Sequence, residues 1–407
     1  MVLTYALTVT HPFLPQTCFH SQESVSEDPF LNGLYASNFV RGLQGDVPYG
    51  DGGRHLLAAA TCKHLAVYNL EVVNYGGEHW TRHRFQANVT RQELAETYLP
   101  AFRACVEGGH PQQLMCAYNS IGVEGEYNST PSCLDHDLLT NIVRGTWNFQ
   151  GSVVADCDAV SDAYSAHHWG PITGDGGNAS AETVVVAGLT AGCDMDCGSF
   201  YTDAGPAAVA QGLLRNATID RALRRIFTMR IRLGEFDPPA DVPYSAYGAA
   251  DCDSAQGRAL ALQAAREAIV LLNNSLGLLP LLKKKKTTTT KSGFNRIAVL
   301  GPLANSTAVM MGGKTDYSPS FTVTALAGIR SAIRRMNVST IVDYSPGLSS
   351  AGSTNASLLP AAIALASASD LVIVVVGISG ANEGEGHDRA NTTLPGLQVS
   401  LFFPFIS

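Results

Sequence analysis

The chain has 407 residues, 45% of them hydrophobic and 15% charged, which fits a globular protein with a sizeable core and room for two to three domains. Its formal net charge of −8 argues against nucleic acid or an anionic membrane as the main partner. No apolar run is long enough to span a bilayer.

In chain order, Met1 to His20 comes first, with an apolar stretch but no basic n-region and no A-x-A cleavage site. It is a poor signal peptide, and 1–21 is set apart as an atypical segment. From Glu27 to about Leu233 helical and strand-like patterns alternate. Thr90 to Glu93, T-R-Q-E, forms a capping box that opens an amphipathic helix through about Val106, closed by Gly108 and Gly109. The apolar run Leu114 to Tyr118 reads as a strand, Leu138 to Val143 as helical, and Ser152 to Ala155 as a second strand. Ala181 to Leu189 and Ile219 to Leu233 read as helices. Such alternation predicts parallel strands joined by right-handed crossovers. Pro238 to Tyr247 is a turn-rich connector, and Ala255 to Leu272 has a helical pattern. Lys283 to Lys291, KKKKTTTTK, reads as a solvated low-complexity loop. Ile297 to Leu300 and Leu371 to Val376 read as two buried strands of a second, smaller α/β domain. Val399 to Ser407 has neither helical period nor polar spacing. Both chain ends read as atypical, as expected of a truncated or mis-spliced gene model.

The segment Gly151 to Val160, GSVVADCDAV, is the most informative. A short β-branched run ends abruptly in Asp156, Cys157 and Asp158. A strand that delivers carboxylates at its C-terminal end is how a (β/α) barrel arms its open face, although a loop Asp also serves as a helix cap or turn residue. Nine cysteines, none in a CxxC pair, fit disulfides in a secreted chain better than a zinc site. Nine Asn-x-Ser/Thr sequons, at Asn88, Asn128, Asn178, Asn216, Asn273, Asn305, Asn337, Asn355 and Asn391, favour secretion.

Six segments resemble one family when taken in order: Glu27-Asp28-Pro29-Phe30 running to Gly45; Thr61-Cys62-Lys63-His64; Met115-Cys116-Ala117-Tyr118-Asn119; Ala155-Asp156-Cys157-Asp158-Ala159-Val160; Ala191 to Gly198, AGCDMDCG; and Glu383 to Arg389, EGEGHDR, followed by Leu394-Pro395-Gly396. Their order and spacing resemble the family 3 glycoside hydrolases, most closely the fungal and plant exo-1,4-β-xylosidases, over roughly Gln22 to Gln398. The resemblance implies an α/β fold: an incomplete (β/α)8 TIM-type barrel over 22–237 whose first strands are missing, a linker over 238–293, and a partial α/β sandwich domain over 294–407 carrying an acid/base loop. It implies that Asp156 is the nucleophile of a retaining glycosidase, whose two carboxyls sit about 5–5.5 Å apart. Glu383 would be the acid/base, with Glu385 as its competitor. Lys63 and His64 would bind sugar hydroxyls, with Lys63 supplying positive charge beside Asp156, and Tyr118 would line the same subsite or pack in the core. Glu27 and Asp28 match a motif that is partly structural.

Two disulfides fit this reading, Cys116 with Cys133 and Cys157 with Cys197, although connectivity is not fixed by sequence. Cys157 as a nucleophile lacks a neighbouring His. A metal held by Asp156, Asp158, Asp194 and Asp196 lacks EF-hand spacing. No metal and no cofactor is implied. The implied substrate is a xylo-oligosaccharide, cleaved outside the cell, with no nucleic-acid or membrane partner. β-Glucosidase and α-L-arabinofuranosidase activities stay open, because one hydroxymethyl group changes a pocket only locally. The family's sugar-binding arginine before Gln22-Glu23 is replaced here by Cys18-Phe19-His20-Ser21. The alternative from another class is therefore a catalytically impaired fragment or sugar-binding remnant.

Overall fold

The computed structural model describes residues 2–6, 24–46, 55–75, 77–125, 129–170, 179–275, 277–281, 294–311, 319–336, 339–386, 388–389 and 391–402. The Lys/Thr run, Cys18 to Glu23, the sequons at Asn128, Asn178 and Asn337, and residues 403–407 lie outside these. The chain forms two compact units: Met1–Ala246 with Gly386–Asn391, and Tyr247–Glu385 with Thr392–Ser407.

The strands of the first unit are β1 (Val2–Ala6), β2 (Ala59–Leu65), β3 (Val72–Tyr75), β4 (Glu78–Thr81), β5 (Gln86–Val89), β6 (Gln113–Cys116), β7 (Ser120–Val123), β8 (Thr130–Pro131) and β9 (Ser152–Ala155). Four of them make one parallel sheet in the order β1-β2-β6-β9. A parallel bridge from Val154 to Met195 continues it beyond β9. This is the expected β/α layer of a TIM-type barrel in incomplete form. β9 is buried along its whole length, as a strand covered on both faces must be. Its entry is tight: a Cβ on Gly151 would run into the Gln112 carbonyl, so glycine is needed there.

The helices begin and end where local chemistry dictates. Asp28 caps Pro29–Gln44 by accepting from the Phe30 N–H at 2.9 Å, proline fills the first turn, and Gly45 closes it at φ 81°. That cap is the structural use of the Glu27-Asp28 motif. The Thr90–Glu93 capping box is present and opens the helical turns over 91–109. Their buried faces, including Tyr98, Phe102 and Val106, join Leu114, Leu139 and Val153 in one core.

Two features of this unit depart from the sequence reading. The segment set apart as atypical contains β1, which pairs in parallel register with β2, Thr4 opposite Thr61. Short polar strands also form a β3–β4 hairpin and a β5-β7-β8 sheet beside the main one, and their length gave no clear period.

The second unit contains β10 (Arg296–Leu300), β11 (Ile341–Ser345) and β12 (Leu371–Val374) in the parallel order β11-β10-β12. Side chains of β10 alternate between two apolar clusters. Ile297 and Val299 meet Leu326 and Ile333 of helix Ala325–Arg335. Ala298 and Leu300 meet Ala362 and Ala366 of helix Leu359–Ser367. Helices on both faces make the α/β sandwich. The two expected strands are therefore three. β11 went unread because its residues are mostly half-buried rather than a buried run, and β12 too is half-buried along its length. The helix read over Ala255 to Leu272 stops at Glu267, before the β-branched pair Ile269-Val270.

Asp194 fastens two helices to β9. Its carboxylate receives Arg144 and Arg225, each at 2.7 Å, and the Val153 N–H at 2.9 Å, with almost no solvent exposure. Arg144 belongs to helix Asp137–Thr146 and Arg225 to Asn216–Arg232. Removing one member of a buried ion group strands the others. Asp194→Ala is expected to lower stability by about 3–5 kcal/mol, read as a lower urea midpoint at unchanged slope.

Candidate active site

Lys63 and His64 lie at the carboxyl end of β2, Tyr118 two residues beyond β6, and Asp156 immediately after β9. Parallel neighbours end on the same side, so these residues share one edge of the sheet. The β2–β6 register shifts between Cys62 and Leu65. An irregularity of that kind re-aims side chains out of the regular pleat, and here it falls on Lys63 and His64.

Asp156 is 9% exposed. Burial pushes its carboxyl above the ordinary value of 3.8, because a charge loses hydration inside a protein. Four groups oppose that shift: the Cys157 N–H, donating to Oδ1 at 2.8 Å; the positive charge of Lys63; the Tyr118 hydroxyl, hydrogen-bonded to the carboxylate; and the positive charge of Arg82. His64 Nε2 stands 3.4 Å from Oδ2. The sequence-predicted Lys63, His64 and Tyr118 thus surround Asp156 within the first unit. Tyr118 is both buried in the core and bonded to Asp156.

A second layer of residues holds these, and sequence reasoning missed it. Arg82 lies over the Tyr118 ring, 5.1 Å from its centroid, and pairs with Glu71 at 3.3 Å. Tyr68 packs edge-on against both His64 and Tyr118 and donates its hydroxyl to Glu71 at 2.8 Å. His83 tilts against Tyr118 with centroids 4.5 Å apart, and its Nδ1 lies 2.7 Å from Asp162. His167 bridges the Tyr118 carbonyl (2.9 Å) and the Ser120 hydroxyl (3.0 Å), and burial lowers its pKa. The signal that was available is a dense run of polar and aromatic residues, Tyr68 to Arg84, just after the Lys-His pair.

Glu383 and Glu385 differ in setting. Glu383 is 1% exposed and its N–H donates to the Ser379 carbonyl at 3.2 Å, whereas Glu385 is exposed. Cys157 is joined to Cys197, and Cys116 to Cys133, as the sequence suggested; a third disulfide, Cys62–Cys105, was not foreseen. The Cys157 thiol is therefore no nucleophile. Among the described residues the cluster close enough to share a metal is Cys116, Cys133 and Cys193, and the first two are bonded to each other. The Asp194 carboxylate is taken up by the guanidinium groups of two arginines.

Fold and site together define a β/α protein that presents a buried carboxylate at the carboxyl ends of its strands. Two family models match: the glycosyl hydrolase family 3 N-terminal domain over residues 14–229 and its C-terminal domain over 269–402. The chain belongs to glycoside hydrolase family 3. It is 38% identical over 386 residues to a probable β-D-xylosidase 7 of Arabidopsis thaliana, covering 93% of this chain and 46% of that one. It is 36% identical over 402 residues to a probable exo-1,4-β-xylosidase of Aspergillus clavatus, covering 98% and 47%. The chain therefore spans about half the length of the curated relatives it matches. A solved family 3 exo-β-xylosidase in complex with a xylobiose aziridine activity-based probe superposes with a TM-score of 0.80 at 30% identity, covering 95% of this chain and 45% of that one. A β-glucosidase of saponin metabolism from intestinal bacteria gives 0.78 at 26% identity, covering 99% and 52%. Among the described residues no helix is long and apolar enough to cross a membrane.

The raised pKa of Asp156 has a thermodynamic consequence. The folded chain holds this proton more tightly than the unfolded chain, so stability is fullest below 3.8 and falls as pH rises through the folded value. Asp156→Asn is expected to unfold at higher urea than the parent near neutral pH. The margin should shrink toward zero as pH approaches 3.8, measured as urea midpoints across that range.

Proposed function

We propose that the protein is a retaining exo-β-glycosidase, a β-1,4-xylosidase that releases xylose from xylo-oligosaccharides by double displacement. The observation that carries this reading is the buried carboxylate of Asp156 at a strand end with Lys63, His64 and Tyr118 around it. In the first step an oxygen of Asp156 forms a bond to the anomeric carbon while the glycosidic C–O bond breaks, and Glu383 gives its proton to the leaving oxygen. In the second step Glu383 takes a proton from water, the water oxygen bonds to the anomeric carbon, and Asp156 leaves as the free carboxylate. The Cys157 N–H, Lys63, Tyr118 and Arg82 all favour the ionised form that the attack requires. Lys63, His64 and Tyr118 bind the hydroxyls of the sugar in this pocket.

Burial supports Glu383 over the exposed Glu385 as the acid/base. The xylose preference is supported by the plant and fungal relatives named as xylosidases. Secretion is supported by the three disulfides and by the sequons at Asn88, Asn216, Asn273, Asn305, Asn355 and Asn391, each with its asparagine exposed. The barrel-type domain over 22–237, the linker over 238–293 and the sandwich over 294–407 are our reading of the domain limits. No cofactor takes part.

Aryl β-xyloside, β-glucoside and α-L-arabinofuranoside assays test the reading on the chain as it stands. The β-xyloside is expected to be turned over fastest, with Asp156→Ala inactive on all three. Glu383→Ala is expected to lose about 10²–10⁴-fold of its rate, with azide restoring release of an activated phenol as the β-xylosyl azide; Glu385→Ala should stay near the parent. Folded protein no more active than Asp156→Ala would overturn the enzyme and leave the sugar-binding remnant, which glycan binding by calorimetry would detect.

A further inference from the structure

Glu71 is one of the most deeply buried ionisable side chains in the first unit, at 1% exposure. Donors that converge on its carboxylate include the Tyr68 hydroxyl at 2.8 Å, Arg82 at 3.3 Å, and the backbone N–H of Gly386 at 2.9 Å. The return contact is also present. Asp388 Oδ2 accepts from the backbone N–H groups of Glu71 at 2.8 Å and Val72 at 3.0 Å. Segment Gly386–Asn391 belongs to the first unit although the chain on either side belongs to the second. It is thus fastened by a reciprocal clamp, a carboxylate from each side accepting from the backbone of the other. Charge-assisted bonds of this kind are the stronger ones, and burial strengthens them further.

We infer that Glu71 is a positioning residue for the acid/base segment: by holding Gly386 and Asp388, it fixes the backbone that immediately follows Glu383 and Glu385. This rests on the proposed retaining mechanism for its catalytic consequence, but not for the clamp itself. The same carboxylate holds Arg82 over the ring of Tyr118, whose hydroxyl is bonded to Asp156. One buried group therefore orders both the segment bearing the proton donor and a neighbour of the nucleophile. Misplacement by about 1 Å is enough to cost a reaction 10²-fold, so the loss of the clamp should be felt in the step that needs the proton.

Leaving-group dependence separates this role from a merely structural one. With xylobiose, whose leaving alkoxide needs a proton, Glu71→Ala is expected to lose about 10²-fold in kcat/KM. With 2,4-dinitrophenyl β-xyloside, which departs without protonation, kcat/KM should fall far less, by only what a looser Arg82 costs Tyr118 and Asp156, and azide should raise the turnover limited by the second step. Glu71→Gln keeps an acceptor for Gly386 and should recover part of the xylobiose activity. Asp388→Ala removes only the other half of the clamp and should reproduce the same split if Glu71→Ala does not fold. An equal loss on both substrates would overturn the inference. Amide hydrogen exchange supplies the arm that needs no activity. Peptides covering 383–391 should exchange faster in Glu71→Ala and Asp388→Ala while the β2, β6 and β9 peptides do not change. Unchanged exchange there would overturn the clamp, whereas faster exchange in a parent inactive on both substrates would leave the clamp standing and reject the glycosidase reading.

Discussion

A carboxylate taken out of water must be compensated where it stands, and in this chain that requirement falls on Asp156. Burial alone favours its protonated form. The Cys157 N–H, Lys63, the Tyr118 hydroxyl and Arg82 all push the other way. These groups come from separate segments, and the parallel sheet is what brings most of them to one edge. Behind them the compensation continues outward: Arg82 is itself balanced by Glu71, and the Tyr118 carbonyl accepts from the His167 ring. The apolar core under β2, β6 and β9 forms the floor on which these layers rest.

Asp156, Asp158, Asp194 and Asp196 look alike in the sequence, and the structure gives them different work. Asp156 ends the buried strand. Asp158 precedes helix Ala159–Ser165 and its backbone N–H bonds to the Cys197 carbonyl. Asp194 locks two arginines onto β9. Asp196 accepts from the Tyr201 N–H at the start of the next helix. Only the first has cations and a phenol arranged around a partly open carboxylate. Residue type and local spacing narrowed the candidates, but the separation came from what the rest of the chain packs against each.

The legible parts were those written locally. The capping box at Thr90, the abrupt end of the Val153-Val154 run and the Lys63-His64 adjacency are all contained in a few residues, and each stands where the sequence put it. Glu71 could not be read that way. Its partners Gly386 and Asp388 lie at the far end of the chain, and two of the bonds are made by its own and its neighbour's backbone, which carry no sequence signature. His167 has the same character, since it supports Tyr118 through a carbonyl. β1 and β11 were missed for a related reason: each is defined by a neighbour distant in sequence more than by its own pattern.

The three disulfides add something that the packing does not. Cys62 of β2 is tied to Cys105, Cys116 of β6 to Cys133, and Cys157 just past β9 to Cys197. Each of these strand ends is thus covalently bound to a later stretch of the same unit, closing loops with separations of 43, 17 and 40 residues. Cross-links over loops of that size remove roughly 3–4 kcal/mol of unfolded-chain entropy apiece in the chain-entropy account. The cross-links therefore help to keep the ends of β2, β6 and β9 in place. The consequence is that the thiol–disulfide balance of the compartment in which the chain matures becomes part of the specification of its active edge: under reducing conditions the same sequence would carry the same carboxylates on a much looser frame.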